Sequence, residues 1–380
     1  VTAGDPLAWL EGGSAPARPP AAPGAGRAGT VRRALDTLDP GYFAFVMASG
    51  IVSVGADLLG YPLLSQVVLG VTVAGFVLLT LAYGARLVWF RASVRRSLLD
   101  PTTAMAYFTV VAGSNVLAAR VALGGHPLVA LGLGAAGALV WLGLTYGLPW
   151  SIVVAARRPV LGELNGTWLV WVVATQSVAI VAAALAPGGP PAALRAALPA
   201  VAVCFWSVGA VLYLLLIGAI FLRLLLVEIT PAEMGPAYWI AMGATAISVR
   251  AAAGILADAH VPGGAFVGEL RPFLVGLSTV LWAFGTWWIP LLVLFGVWRY
   301  LLQGYPRTYE PRLWSVVFPL GMYTVASYTL GRAARLGFMV SLARVWFFVG
   351  LSAWAVVLVL MLAAGARALA RRDGTARRRR

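Results

Sequence analysis

The residues in this chain that could do chemistry are few, but they recur. Tyr42, Tyr107, Trp168, Tyr238 and Trp314 each open an apolar stretch, roughly 60 to 75 residues apart, the period of one supersecondary unit used five times. Seven positions after each aromatic stand Ser49, Ser114, Thr175, Thr245 and Gly321. The next positions hold Gly50, Asn115, Gln176, Ala246 and Met322, and Ser53 lies one turn beyond Ser49. Neutral hydroxyl and amide groups at one depth can replace part of an ion's hydration shell without trapping the ion. The same groups could instead hydrogen-bond between close-packed helices. The pattern alone leaves both readings open.

Four positions after each aromatic are Val46, Val111, Val172, Met242 and Phe318. They stack one helical turn before the polar set and form an apolar collar with one bulky member. Phe318 is followed by Pro319, which removes a backbone hydrogen bond and permits a bend. A large ring beside a flexible point suits a gate; a packed core phenylalanine is the other reading. Asp57, Arg120, Arg250, Asp258 and Arg332 lie toward the far ends of the same stretches, and charges at membrane depth are functional hypotheses. Arg120 reads as an ion-pair partner of the acids. Arg250 reads equally as a pairing residue or as part of a positive vestibule that concentrates anions. Asp57 is the candidate proton site.

Catalytic groupings are absent from the sequence. Cys204 is the single cysteine and His126 and His260 the two histidines, so no metal or cofactor is expected. The glycines of Gly132-Leu133-Gly134 lie inside an apolar run with no Lys-Ser/Thr after them, so they form no phosphate cradle.

These residues need a membrane scaffold. The chain is 61% hydrophobic and 11% charged, against about 25% charged in soluble domains. Ten apolar runs long enough to span a bilayer fall near 40–60, 66–90, 102–122, 127–155, 166–186, 194–227, 236–257, 271–298, 312–332 and 340–368. The odd runs are short and rich in small and hydroxyl residues, while the even runs are longer and rich in Leu, Val and Trp. Small and polar residues belong against protein or water. The expected fold is therefore an all-α polytopic protein: five helical hairpins in a quasi-five-fold ring, odd helices inside around a central pore, even helices against lipid. Asp39-Pro40, Asp100-Pro101 and Glu310-Pro311 read as caps that start odd helices on one side.

The net charge of +15 comes from 28 arginines without a lysine. Most of them, including Arg32, Arg33, Arg91, Arg95, Arg96, Arg157, Arg158, Arg299 and Arg307, fall in the tails and even-to-odd loops. That bias places both termini in the cytoplasm of a cell whose plasma (inner) membrane the chain spans. It accounts for the basicity without nucleic acid. Residues 1–36 read as a disordered tail without a secretory leader, 37–370 as the membrane domain, and 371–380 as a basic tail.

Leu38-Asp39-Pro40-Gly41-Tyr42-Phe43-Ala44-Phe45-Val46-Met47-Ala48-Ser49-Gly50 resembles the first span of the tellurite-resistance/dicarboxylate transporter family. Trp287-Trp288-Ile289-Pro290-Leu291-Leu292 resembles its eighth span, and Phe318-Pro319-Leu320-Gly321-Met322-Tyr323-Thr324 its ninth. Bacterial tellurite-resistance proteins, yeast malate and sulfite carriers and the slow anion channel of plant guard cells belong there. The resemblance implies a homotrimer of ten-helix protomers, each with its own five-helix pore closed by a phenylalanine at Phe318. It also implies a small anion as substrate: a C4-dicarboxylate such as malate, or sulfite, chloride or nitrate. The alternatives are a membrane-embedded enzyme and a tellurite detoxification factor that does not transport.

Overall fold

The computed structural model describes residues 27–155, 160–188 and 191–377. All regular structure among them is helical, and ten helices are long and apolar enough to cross a membrane. In chain order the α-helices are α1 (Arg27–Asp36), α2 (Ala44–Leu58), α3 (Pro62–Trp89), α4 (Arg91–Leu99), α5 (Phe108–Leu123) and α6 (Pro127–Ala155). There follow α7 (Val170–Leu185), α8 (Ala192–Leu226), α9 (Ile240–Ala257), α10 (Ala265–Val297), α11 (Trp314–Ala333) and α12 (Gly337–Arg377).

Each short span opens with a 3-10 turn that the apolar pattern did not show: Pro40–Phe43, Ala104–Tyr107, Gly166–Leu169, Pro236–Trp239 and Pro311–Leu313. Four of the repeated aromatics sit within these turns, and Trp314 directly follows one. Asp39 caps the first, accepting from the Gly41 N–H at 2.7 Å, and Asn165 caps the third through Thr167 N–H at 2.9 Å. The other two expected caps act differently. Asp100 accepts from Thr102 N–H in the turn before the helix. Glu310 makes no capping bond and instead meets Arg299.

Burial separates the two helix classes. In the short spans 72–89% of the most apolar window is buried, against 17–33% in the long ones. The long helices present Leu63, Leu78, Leu139, Leu215, Val280 and Val359 outward as an apolar surface suited to a membrane. Cys204 also lies exposed on this outward surface. Among the buried helices, α2 packs on α5, α5 on α7, α7 on α9, α9 on α11, and α11 again on α2. Their 3-10 turns touch in the same order.

Two sets of hydrogen bonds tie each long helix to the next short one. At mid-depth an indole N–H crosses: Trp141 of α6 donates to Thr175 Oγ1 of α7 at 2.9 Å, and Trp206 of α8 to the Ser248 carbonyl of α9 at 3.0 Å. Trp282 of α10 donates to Ser327 of α11 at 2.8 Å, and Trp354 of α12 to Ser49 of α2 at 2.9 Å. At the face where the short helices begin, buried arginines do the same work. Arg86 donates to the Tyr107 hydroxyl, Arg223 to the Tyr238 hydroxyl and to Glu233, and Arg299 to the Met234 carbonyl and to Glu310. Arg299, expected in an even-to-odd loop, lies instead in a π-helical turn, Trp298–Leu302, and is 2% exposed.

The ends differ from expectation too. The last ten residues of the stretch expected to be a disordered tail, Arg27–Asp36, form α1, and α12 runs on to Arg377 through much of the expected basic tail. Residues 1–26 and 378–380, and the basic pair Arg157 and Arg158, lie outside the described residues.

Candidate functional site

The first turns of the five short spans enclose a cavity of about 30 Å3. Gly41, Thr109, Thr167, Ala237 and Ser315 line it, one from each repeat, with Asp39 and Arg312 at its edge. Each repeat contributes the residue just before its aromatic anchor or one shortly after it. The five helix N-termini converge here, so their partial positive charges point at one small volume. Arg312 is exposed and forms no hydrogen bond or ion pair among the described residues. Asp39 was read in the sequence as a helix cap, but none of the five lining residues was singled out there as a site residue. The aromatic repeat read one position earlier would have found three of them, Gly41, Thr167 and Ala237, but not Thr109 or Ser315.

Beyond this cavity the interior is shut. Val46, Val111, Val172, Met242 and Phe318 are each at most 1% exposed. Pro319 leaves α11 continuous, and Gly243 of α9 makes room for its ring: a Cβ there would stand 2.8 Å from Pro319 Cγ. Met322 is buried and Gly321 lies close to α2, where a Cβ would meet Ile51 at 2.8 Å.

The polar set seven and eight positions after the aromatics is placed between helices. Ser49 and Thr175 accept the tryptophan N–H groups described above. Asn115 donates to Ser177 Oγ at 2.9 Å and Gln176 to the Trp206 carbonyl at 3.1 Å. Ser114 and Thr245 bond back to carbonyls of their own helices, Val110 and Met242. Gly50 leaves space for Val116, and Gly285 of α10 and Gly209 of α8 leave space for Thr245 and Gln176. Two amide oxygens, Asn115 Oδ1 and Gln176 Oε1, are buried without a hydrogen bond among the described residues.

The charges at the opposite end divide into two kinds. Arg120 is 3% exposed and fully engaged. It bridges Asp57 at 3.1 Å, donates to Ser65 Oγ at 2.9 Å, and reaches Ser53 Oγ at 3.2 Å; Ser53 in turn donates to the Ser65 carbonyl. This cluster clamps α2, α3 and α5 together. Arg250 differs. Ile240–Ala253 is buried except at this residue, which is partly exposed, and its guanidinium forms no hydrogen bond or ion pair among the described residues. Asp258, eight positions further on, forms no ion pair with it; Asp258 is itself 1% exposed and its Oδ2 has no hydrogen bond among the described residues.

Comparison with known proteins agrees with this architecture. Over 151 residues the chain is 44% identical to an uncharacterized membrane protein recorded in two Mycobacterium tuberculosis strains, a stretch covering 40% of this chain and 75% of that protein. The family model described as voltage-dependent anion channel matches residues 37–362, from the first cap into the last long helix. The chain therefore belongs to the voltage-dependent anion channel family.

Proposed function

We propose that this protein moves small anions across the plasma membrane through an axial path between α2, α5, α7, α9 and α11, and that Phe318 closes that path. The observation that carries the reading is the small cavity to which all five repeats contribute a residue. A volume shared by five equivalent first turns lies on their common axis, and the closed order of helix contacts supports a quasi-five-fold ring of hairpins. Five converging helix N-termini suit the entrance to an anion, while the charge of Arg312 is offset by the Asp39 carboxylate lining the same cavity. The bias of arginine toward this face supports a cytoplasmic entrance, with both termini on that side.

Passage needs the collar to open, because no residue of it is accessible to water. Phe318 is its largest member, and truncation is the direct test. In proteoliposomes holding the purified chain, Phe318→Ala is expected to raise chloride or nitrate flux at least about tenfold, a barrier change of about 1.4 kcal/mol. The substitution also removes core packing and is expected to cost about 3–5 kcal/mol of stability. Lost stability with unchanged flux would make Phe318 an ordinary core residue. The family relationship and the axial cavity favour transport over an enzymatic or purely sequestering role. The substrate is a small anion, and assembly as a trimer of such protomers fits the exposed apolar outer helices.

A further inference from the structure

We infer that Arg250 is the anion-contact residue in the half of the path beyond Phe318, and that its guanidinium selects planar oxyanions and carboxylates over halides. We further infer that Asp258 is its resident competitor. The inference rests on the transport reading above.

Four observations converge on Arg250. First, it is the one accessible position in fourteen successive residues of a buried helix, Ile240–Ala253. Second, its N–H groups are unused among the described residues, whereas Arg120, Arg223 and Arg299 each close a salt bridge. An unpaired cation at membrane depth is expensive, and a bound anion would offset that cost. Third, the guanidinium faces another short helix: Arg250 Nη1 lies 3.0 Å from where a Gly254 Cβ would be, and that same position is 3.5 Å from Ala183 of α7. A Cβ at 254 would press on the fork, which would have to give by a few tenths of an ångström. Fourth, Arg250 follows Met242, the collar member of its own helix, by eight residues, or about 12 Å of helix rise. An anion that clears the collar therefore meets Arg250 next on α9.

The fork geometry decides the class of ligand. Two parallel N–H groups match the spaced oxygens of a carboxylate, nitrate or sulfite, while a spherical halide can use only the charge. Asp258 is the one carboxylate that follows Arg250 on this span, buried and with no hydrogen bond to its Oδ2 among the described residues. When ionised it is a rival for the fork that a substrate anion has to outcompete.

The test compares nitrate with chloride, two anions of equal charge and different shape, in proteoliposomes of the full chain. It is run with Phe318 intact and in the Phe318→Ala background. Arg250→Gln is expected to raise the nitrate concentration for half-maximal flux about tenfold or more, the worth of a hydrogen bond to a charged group, and to level the nitrate preference. Arg250→Lys keeps the charge without the fork, so chloride flux persists while the nitrate preference falls. Gly254→Ala displaces the guanidinium and shifts selectivity in the same direction. Asp258→Asn has the opposite sign and lowers the half-saturating nitrate concentration. Unchanged selectivity in Arg250→Gln and Arg250→Lys, or weaker nitrate saturation in Asp258→Asn, overturns the inference while transport stands. No flux of either anion in either background overturns the transport reading and this inference with it.

Discussion

Replacing Ser49 by alanine deletes one oxygen and leaves the indole N–H of Trp354, 2.9 Å away across the α2–α12 seam, without its acceptor. Both residues are buried, at 0% and 9% exposure, so water cannot take over. In an aqueous protein an orphaned buried donor costs about 1–3 kcal/mol. Within membranes, double-mutant cycles average about 0.6 and reach about 1.7 kcal/mol, because the unfolded chain in lipid also finds partners. A coupling of about 1 kcal/mol is therefore expected for this pair. The assay is a four-protein cycle: wild type, Ser49→Ala, Trp354→Phe and the double variant, unfolded reversibly in detergent. Each single variant should lose stability, and the double variant should lose less than the sum. Anion selectivity should match the wild type throughout, because the hydroxyl is committed to the seam. No coupling, together with altered selectivity in Ser49→Ala alone, would refute this assignment and return Ser49 to the ion path.

In the Arg120 cluster the two partners should be unequal: Asp57→Asn strands a guanidinium that is 3% exposed and should cost about 3 kcal/mol. Arg120→Met should cost less, because the Asp57 side chain is 37% exposed and can hydrate, and the double variant should recover stability over Asp57→Asn. At the α9–α10 seam, a Cβ at Gly285 would sit 2.1 Å from Thr245 Oγ1. Gly285→Ala should therefore cost about 1–3 kcal/mol, and adding Thr245→Ala should restore part of it in the same melting assay. In the loop before α9, the Glu233 carboxyl is held below its usual range, chiefly by the Thr230 backbone N–H, with help from the Thr230 hydroxyl and Arg223. A depressed carboxyl contributes stability above its unfolded pKa and loses it as pH falls through the folded one. The melting gap between wild type and Glu233→Gln should thus be full at pH 7 and begin to narrow as pH falls below about 4.

The division into short buried and long lipid-facing helices could be read from residue types, because a membrane helix must match its surroundings along its whole length. Met47-Ala48-Ser49-Gly50 could only lie against protein, and Leu214-Leu215-Leu216 suits lipid. The five-fold repeat was legible for a related reason: each hairpin meets equivalent neighbours and keeps equivalent residues. Arg120 with Asp57 was legible as a pair because isolated charges at that depth are costly.

What stayed hidden was rotation about each helix axis. Counting from the aromatic assumes about 100° per residue, but Tyr42, Trp168 and Tyr238 each lie inside a 3-10 turn, at about 120° per residue, so their phase drifts slightly before the α-helix begins, whereas that of Trp314 does not. Spacing also fixes angles only within a helix, whereas the direction that faces the axis is set by neighbours. Trp354 and Trp141 claim Ser49 and Thr175 from helices that are distant in sequence or separated by a turn, and no local pattern announces that. Residue types and their pattern sufficed for the membrane class, the ten spans, the repeat and the separation of inner from outer helices, all consequences of solvation acting on each segment separately. Packing between helices settled which hydroxyls serve as straps, which first-turn residues meet in the shared cavity, and that Arg120 is bound while Arg250 forms no ion pair among the described residues. Those outcomes depend on pairs of groups brought within about 3 Å by packing, a distance scale on which sequence spacing is silent.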